Sequence, residues 1–231
     1  MNIELNEKEL RLFGLLRQIP PDFEGAKKWL SAEQFSQTAL TKVALAYVEE
    51  CEWEVEDEVV YRGCDRTTDV VPNLHSSYIC DVVGLLLQHG LNPNDIYNIE
   101  NIMQNVTYVD NGFLAADTMM LLLENGGDPD LEVEIEPLFS EVDNYVFFDA
   151  VEQEDRIRYE QYVRCWMVML GYRGHYEHNC QLFREYDSSE MFDLRKLKNY
   201  RDYYVGLLRI DGRTCICIFD KATMWEVARF W

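Results

Sequence analysis

Three side chains of metal-binding types stand within one six-residue segment: His175, His178 and Cys180. Zinc prefers imidazole nitrogen and thiolate sulfur, and a structural zinc site uses four such ligands. The spacing differs from that of paired zinc knuckles, so a fourth ligand would have to come from a distant segment. An enzyme or metal-binding protein that uses this cluster is therefore the alternative hypothesis, and we predict that the chain holds no metal and no other cofactor.

Acidic and apolar residues alternate in a second candidate segment. Glu132, Glu134 and Glu136 are separated by Val133 and Ile135, which predicts three carboxylates on one face of an extended segment. Two carboxylates serve as a catalytic acid and base only in a sequestered pocket that separates their pKa values. A solvated loop offers no such pocket, and we predict no catalytic residue here.

The beginning of a calcium-binding loop is suggested by Asp128, Asp130 and Glu132. Such a loop continues with a glycine and a distal bidentate glutamate, and neither follows in register. The sequence also lacks a phosphate-binding loop, a dinucleotide-binding glycine pattern, a nucleophile elbow and a zinc-protease motif. We predict that the protein is not an enzyme and has no small-molecule substrate.

The charge of the chain is strongly negative and unevenly distributed. The 231 residues include 21 Lys and Arg against 42 Asp and Glu, a net charge of −21. Residues 67–155 contain no Lys or Arg and 18 Asp or Glu. Direct binding to nucleic acid or to an anionic membrane is disfavoured, because phosphates require cationic partners. The acidic stretch instead predicts a protein partner with a basic surface, unless it serves only solubility.

Composition indicates a folded protein in a reducing compartment. Hydrophobic residues make up 48% of the chain, and no stretch approaches the ~20 apolar residues of a membrane span. The first residues, Met1 to Glu4, lack the basic start and apolar run of a signal peptide. The seven cysteines are odd in number, which favours free thiols. We therefore expect a cytoplasmic protein.

An internal repeat is the clearest pattern in the sequence. Residues 81–95 and 117–131 match at an offset of 36. The matched pairs are Asp81/Asp117, Leu85/Leu121, Leu86/Leu122, Leu87/Leu123, Gly90/Gly126 and Pro93/Pro129. Each copy has an aspartate near the helix start, followed by a leucine triplet, a glycine and a proline. This order predicts a buried helix that ends at a glycine in the left-handed conformation.

These two copies resemble the second helix and exit loop of the ankyrin repeat. The first copy carries the motif in Val82, Val83, Leu85, Leu86, Leu87, Gly90, Asn92, Pro93 and Asn94. The second carries it in Leu121, Leu122, Leu123, Gly126, Asp128, Pro129 and Asp130. The period departs from the usual ~33 residues, and the T-P-L-H opening of the first helix is absent. The resemblance implies a curved stack of helical pairs whose loop tips and first helices bind proteins.

Further helices are predicted around the two copies. Apolar spacing favours short helices over residues 95–106 and 137–151, and a longer one over residues 154–170. Upstream, the pattern predicts a helix over residues 6–18 that begins after Asn6 and ends before Pro20-Pro21, and another over residues 31–50 with Ser31 as its N-cap. The N-terminal helices would cap the stack.

The C-terminal segment changes to a strand pattern. Residues 203–210 and 214–219 are rich in β-branched and aromatic residues and flank Asp211-Gly212, a strong hairpin signal. The second strand places Cys215 and Cys217 on one face. Residues 225–230 favour a third strand, and a helix N-capped by Asp220 is the competing interpretation.

Together these features predict a mainly α fold. We expect an ankyrin-like stack of helical pairs with an N-terminal helical cap and a small C-terminal antiparallel β-meander. The predicted domains are residues 1–66, with N-terminal helices and an acidic linker, residues 67–174, with the repeats, and residues 175–231, the capping segment. The expected function is binding of a basic protein, as an inhibitor, an immunity protein or a nucleic-acid mimic. The predicted partner-binding residues are Asn92, Asn94, Asp110, Asn111, Asp128, Asp130, Glu132, Glu134 and Glu136.

Overall fold

The computed structural model describes residues 3–51, 73–109, 112–133, 136–149, 156–186, 188–210 and 213–231. Internal contacts divide the chain into two units, Met1–Thr118 and Met119–Trp231. Of the described residues, about 52% are helical and 17% lie in strands. The predicted mainly α class is therefore wrong, and the fold is mixed α/β. The class was wrongly predicted in part because two of the sheets consist of two-residue strands. Such strands are too short to show an alternating sequence pattern.

Three helices form the start of the first unit: α1 (Glu7–Leu16), α2 (Phe23–Ala32) and α3 (Gln37–Glu49). The Asn6 side chain accepts from the Glu9 backbone N–H, and Glu9 accepts from the Asn6 backbone N–H, so a capping box begins α1. The predicted start of this helix after Asn6 is confirmed. The same Glu9 carboxylate, 4% exposed, accepts from Lys42 Nζ at 2.8 Å. This buried ion pair fastens α1 to α3.

The helix predicted over residues 31–50 is in fact two elements. Ser31 lies in the last turn of α2, where its hydroxyl donates to the Lys27 carbonyl oxygen. The N-cap of α3 is Ser36, whose Oγ accepts from the Ala39 backbone N–H at 3.2 Å. The prediction of Ser31 as the N-cap is wrong, since two serines five residues apart carry the same local signal.

A 3₁₀ turn (His75–Tyr78) leads into α4 (Ile79–Gln88), the helix of the first repeat copy. Next come β1 (Ile96–Tyr97), β2 (Glu100–Asn101) and α5 (Ile102–Val106). The strands pair antiparallel and form the first hairpin. The helix predicted over residues 95–106 is therefore wrong in its first half, because the chain turns at Asn98 and Ile99, both with positive φ.

The helix of the second copy is α6 (Gly112–Glu124). Its first half contacts α4, since Cys80 Sγ lies 3.0 Å from Thr118 Oγ1 and 3.6 Å from the Leu114 carbonyl oxygen. The predicted turn residues Asp110 and Asn111 lie outside the described residues.

The second unit continues with a second hairpin of two strands, β3 (Glu132–Val133) and β4 (Glu136–Pro137). Helix α7 (Leu138–Asn144), a π-helical turn (Tyr145–Asp149) and α8 (Arg156–Arg173) follow. The helices predicted over residues 137–151 and 154–170 correspond to these elements. Helix α8 ends at Arg173 and is followed by Gly174, which has a φ of +70°.

The second unit ends in a four-stranded antiparallel sheet. Its strands are β5 (Cys180–Leu182), β6 (Tyr203–Ile210), β7 (Arg213–Asp220) and β8 (Glu226–Phe230), in the order β5-β8-β7-β6. A 3₁₀ segment (Leu194–Asp202) precedes β6. The three strands of the predicted meander are confirmed, and the competing helix over residues 221–230 is wrong. Strand β5 was not predicted.

Helix α8 contacts this sheet through Trp166. The Trp166 ring meets the Phe230 ring edge to face at a centroid distance of 5.0 Å. Cys215 and Cys217 lie on the opposite face of β7, both on one face as predicted, and their sulfur atoms are 3.9 Å apart. The six described cysteines are free. Among the helices in the described ranges, none combines the length and apolar character needed to cross a membrane.

Candidate functional site

The first repeat copy ends in a loop, here called the exit loop, that backbone hydrogen bonds tie to the end of α4. Gly90 has a φ of +99°, a conformation that favours glycine. Its backbone N–H donates to the Leu87 carbonyl at 3.1 Å, and the Leu91 N–H donates to the Leu86 carbonyl at 3.0 Å. This pair of bonds satisfies the last carbonyls of α4 and fixes the direction in which the chain leaves it.

The second copy repeats this geometry 36 residues later. Gly126 has a φ of +91°. The Gly126 N–H donates to the Leu123 carbonyl at 3.2 Å, and the Gly127 N–H donates to the Leu122 carbonyl at 3.0 Å. The sequence offset is therefore also a structural offset, which continues into the two hairpins at residues 96–101 and 132–137.

Two predicted partner-binding residues hold these loops in shape. Asn92 Oδ1 accepts from the Asn94 backbone N–H at 3.1 Å. In the second copy, Asp128 Oδ1 accepts from the Asp130 backbone N–H at 3.0 Å. Each is a side-chain turn of the kind that Asn and Asp favour, so Asn92 and Asp128 have a structural role in their loops.

The other predicted residues differ in their surroundings. Asn94 is half-buried, whereas Asp130, Glu132 and Glu136 are exposed. Asp110, Asn111 and Glu134 lie outside the described residues. In the second hairpin, then, at least two carboxylates stand at the surface.

The expectation that Glu132, Glu134 and Glu136 share one face of an extended segment is wrong for Glu132 and Glu136, and Glu134 lies outside the described residues. The chain reverses between β3 and β4, which places Glu132 opposite Pro137 and Val133 opposite Glu136. Directly opposed residues point to the same face of a hairpin, and successive residues alternate. Glu132 and Glu136 therefore point to opposite faces of the second hairpin.

Arg173, at the end of α8, binds the exit loop of the second copy. Its side chain is 7% exposed, and Nε donates to Asp130 Oδ1 at 2.8 Å. The guanidinium also lies 4.1 Å from the centre of the Phe139 ring and donates to Glu177 Oε1 at 3.3 Å. This cation thus joins α7, α8 and the exit loop within the second unit.

A buried carboxylate lies beside this contact. Asp143, on α7, is 6% exposed and accepts at Oδ1 from Trp166 Nε1 at 2.7 Å and from the Tyr176 hydroxyl at 3.0 Å. Burial raises the pKa of Asp143, although the two donors oppose the rise. The same burial and the neighbouring carboxylate raise the pKa of the Tyr176 hydroxyl.

A shallow cleft opens over this group, lined in part by Asp143, Arg173, Tyr176, Glu177 and His178. Both donors that contact Asp143 are side chains of its own unit, the buried Trp166 and the half-buried Tyr176. The pairing of Asp143 with Trp166 across 23 residues of sequence fastens α7 to α8. We interpret the group as structural.

The His175, His178 and Cys180 cluster does not form a metal centre in the described part of the chain. No group of three or more metal-binding side chains converges among those residues. His175 and His178 are exposed at the surface, whereas Cys180 is half-buried in β5. His175 Nδ1 lies 3.0 Å from the Arg173 carbonyl oxygen, and the His178 ring contacts Tyr176.

Sequence reasoning missed one residue of the first hairpin. Ile99 occupies the turn with a φ of +67° and is 61% exposed. This conformation is rare for a β-branched residue, and two-residue turns normally place glycine there. The sequence carries no hairpin signal at this turn, because isoleucine follows Asn98 where a hairpin favours glycine.

Comparison with known proteins adds no assignment. No protein-family model, no curated protein and no solved structure matches the chain.

Proposed function

We propose that this protein is a non-enzymatic interaction module whose acidic surface binds a protein with a basic surface. The observation that carries the proposal is the state of Glu132 and Glu136 in the second hairpin. Both are exposed, and neither forms an ion pair with a described residue. They lie in the stretch 67–155, which supplies no Lys or Arg of its own.

Surface carboxylates that have no cationic partner among the described residues favour association with a cationic protein. Their combined field steers a basic partner toward the surface and raises the association rate, and the effect weakens as salt screens it. A small acidic binder of this kind suits an inhibitor, an immunity protein or a mimic of nucleic acid. We propose that it acts in the cytoplasm, where free cysteines stay reduced.

The repeated exit loops and hairpins support a binding role for this region. Loops held by a fixed set of backbone bonds present their exposed side chains with little loss of conformational entropy on binding. The resemblance to ankyrin repeats belongs to the same proposal, because it implies that loop tips contact the partner.

The proposal is tested by differential affinity capture from the native host. The baits are the wild type, the double variant Glu132→Lys/Glu136→Lys and the control Glu7→Lys/Glu24→Lys. The control makes the same change in net charge at two exposed glutamates of α1 and α2. We expect proteins with basic surfaces to bind the wild type and the control and to be lost from the second-hairpin variant.

Two results would contradict the proposal. If the captured proteins are equally reduced for both variants, bulk charge explains the binding and the second hairpin has no special role. If no captured protein is sensitive to either variant, the acidic surface is not a binding surface. Circular dichroism of each variant shows whether it remains folded.

A further inference from the structure

Two exposed aromatic rings meet at a right angle on the second unit. Tyr186 and Trp225 have ring centroids 5.0 Å apart and planes inclined at 81°. Tyr186 is 64% exposed and Trp225 is 50% exposed. Large aromatic side chains are usually covered in a folded protein. The two ring faces therefore form a corner that is open to solvent, here called the aromatic corner.

The turn between β7 and β8 holds Trp225 in place. The Asp220 backbone N–H donates to the Trp225 carbonyl at 2.9 Å, and Asp220 Oδ1 accepts from the Thr223 N–H at 2.7 Å. Met224 has a φ of +62° and is 64% exposed. A positive φ at a residue other than glycine is costly and often marks a functional position.

A second short loop holds Tyr186. The chain reverses between Phe183 and Phe192, where the Phe192 N–H donates to the Phe183 carbonyl at 2.9 Å. Within this loop, the Glu185 N–H donates to the Glu190 carbonyl at 3.2 Å. Both walls of the aromatic corner are thus anchored by backbone hydrogen bonds, which lowers the entropy lost on binding.

The aromatic corner also offers hydrogen-bond donors. Neither the Trp225 indole N–H nor the Tyr186 hydroxyl bonds to another described residue. A ligand suited to this corner therefore has flat or ring-shaped apolar groups together with free acceptors. A quaternary ammonium ion would fit the ring faces, but it has no acceptor for either donor.

We propose that the aromatic corner binds a proline-rich segment of another protein in the polyproline II conformation. Pyrrolidine rings pack against aromatic faces, and the carbonyl groups of this helix have no internal hydrogen bonds and are free to accept. The segment is also rigid before it binds, which keeps the entropy loss small. This inference concerns a second surface and does not depend on the basic partner proposed above.

The direct test is a titration of the full chain with a fluorescein-labelled decaproline peptide, followed by fluorescence anisotropy. A Gly-Ser peptide of the same length serves as the control ligand. We expect saturable binding of decaproline alone. Trp225→Ala and Tyr186→Ala should each weaken it at least about tenfold, as expected for aromatic anchors. Leu208→Ala, at an exposed position of β6, should leave it unchanged.

Several outcomes would overturn the inference. These are no saturable binding by the wild type at millimolar peptide, equal binding of the Gly-Ser peptide, or full binding by both aromatic variants. Tetramethylammonium is titrated separately while the Trp225 indole N–H is observed by NMR. A response to this ion without a response to decaproline would assign the corner to cationic ligands instead. Two independent variants, each checked by circular dichroism, separate loss of binding from loss of folding.

Discussion

The guanidinium of Arg173 donates from Nε to Oδ1 of Asp130 across 2.8 Å. The donor is almost fully buried and the acceptor is 45% exposed. One residue predicted to bind a partner therefore also holds α8 against the exit loop of its own unit. Substitution at Asp130 would alter both stability and binding, and for this reason the charge-reversal variants use Glu132 and Glu136.

Replacing Arg173 should destabilise the protein more than replacing Asp130. Arg173→Ala removes the ion pair, the stacking on Phe139 and buried packing. It should lower the free energy of unfolding by about 2 kcal/mol. Asp130→Ala removes a half-exposed carboxylate and leaves Glu177 as a partner of Arg173. It should lower the free energy of unfolding by less than about 1 kcal/mol. Urea unfolding of both variants measures the difference, and equal losses would contradict the assigned geometry.

The glycines of the two exit loops should respond alike to alanine. Gly90→Ala and Gly126→Ala should each destabilise the folded protein by about 1 kcal/mol, because both residues have positive φ. No other atom lies within 4 Å of the new methyl group, so the backbone conformation accounts for the loss. Gly14→Ala is the matched control, since Gly14 lies within α1 with open space around it. It should stabilise by about 0.5–1 kcal/mol. Unequal effects at the two loops would contradict a shared geometry.

Glycine at Ile99 should stabilise the first hairpin. The residue has a φ of +67° and is mostly exposed, so Ile99→Gly relieves left-handed strain and removes little packing. We expect a gain of up to about 1 kcal/mol, measured by thermal unfolding. Ile96→Gly, in β1, should instead destabilise the protein. A loss of stability in Ile99→Gly would show that the turn is not strained.

Asp143 should give the stability of the protein a specific pH dependence. Burial raises its pKa above the ordinary 3.8, so the folded protein keeps this proton where the unfolded chain has lost it. Asp143 therefore stabilises the folded protein most below pH 3.8, and this contribution falls as the pH rises through the raised pKa of the folded state.

The measurement compares the wild type with Asp143→Asn by urea unfolding between about pH 3 and pH 7. The free energy of unfolding of the wild type, minus that of the variant, should decrease as the pH rises. The subtraction removes the titration of carboxylates that both proteins share. A difference that is constant, or that grows with pH, would contradict the raised pKa.

Local signals in the sequence predicted much of the fold. Asn6 and the apolar spacing after it predicted the start of α1, and the β-branched and aromatic run at residues 203–210 coincides with β6. Each of these elements is long or carries a specific cap. The positive-φ glycines that end α4 and α6 also follow from local chemistry, because a buried helix followed by glycine and proline has few alternatives.

The two hairpins could not be predicted in this way. Strands of two residues, such as Ile96–Tyr97 and Glu132–Val133, show no periodicity, and their apolar residues also fit a helix. Contacts between residues distant in sequence could not be predicted either. Nothing local to Asp143 indicates Trp166, and nothing local to Tyr186 indicates Trp225. These contacts depend on tertiary packing, which also decides which aromatic residues remain exposed.

The most direct test of the account is the affinity of a captured basic partner for the purified protein. Isothermal titration would compare the wild type, Glu132→Lys/Glu136→Lys and Glu7→Lys/Glu24→Lys at low salt and at about 0.5 M salt. We predict at least about tenfold weaker binding for the second-hairpin variant alone, and a strong loss of wild-type affinity at high salt. Equal affinities of all three proteins, or binding that salt does not change, would contradict the proposed function.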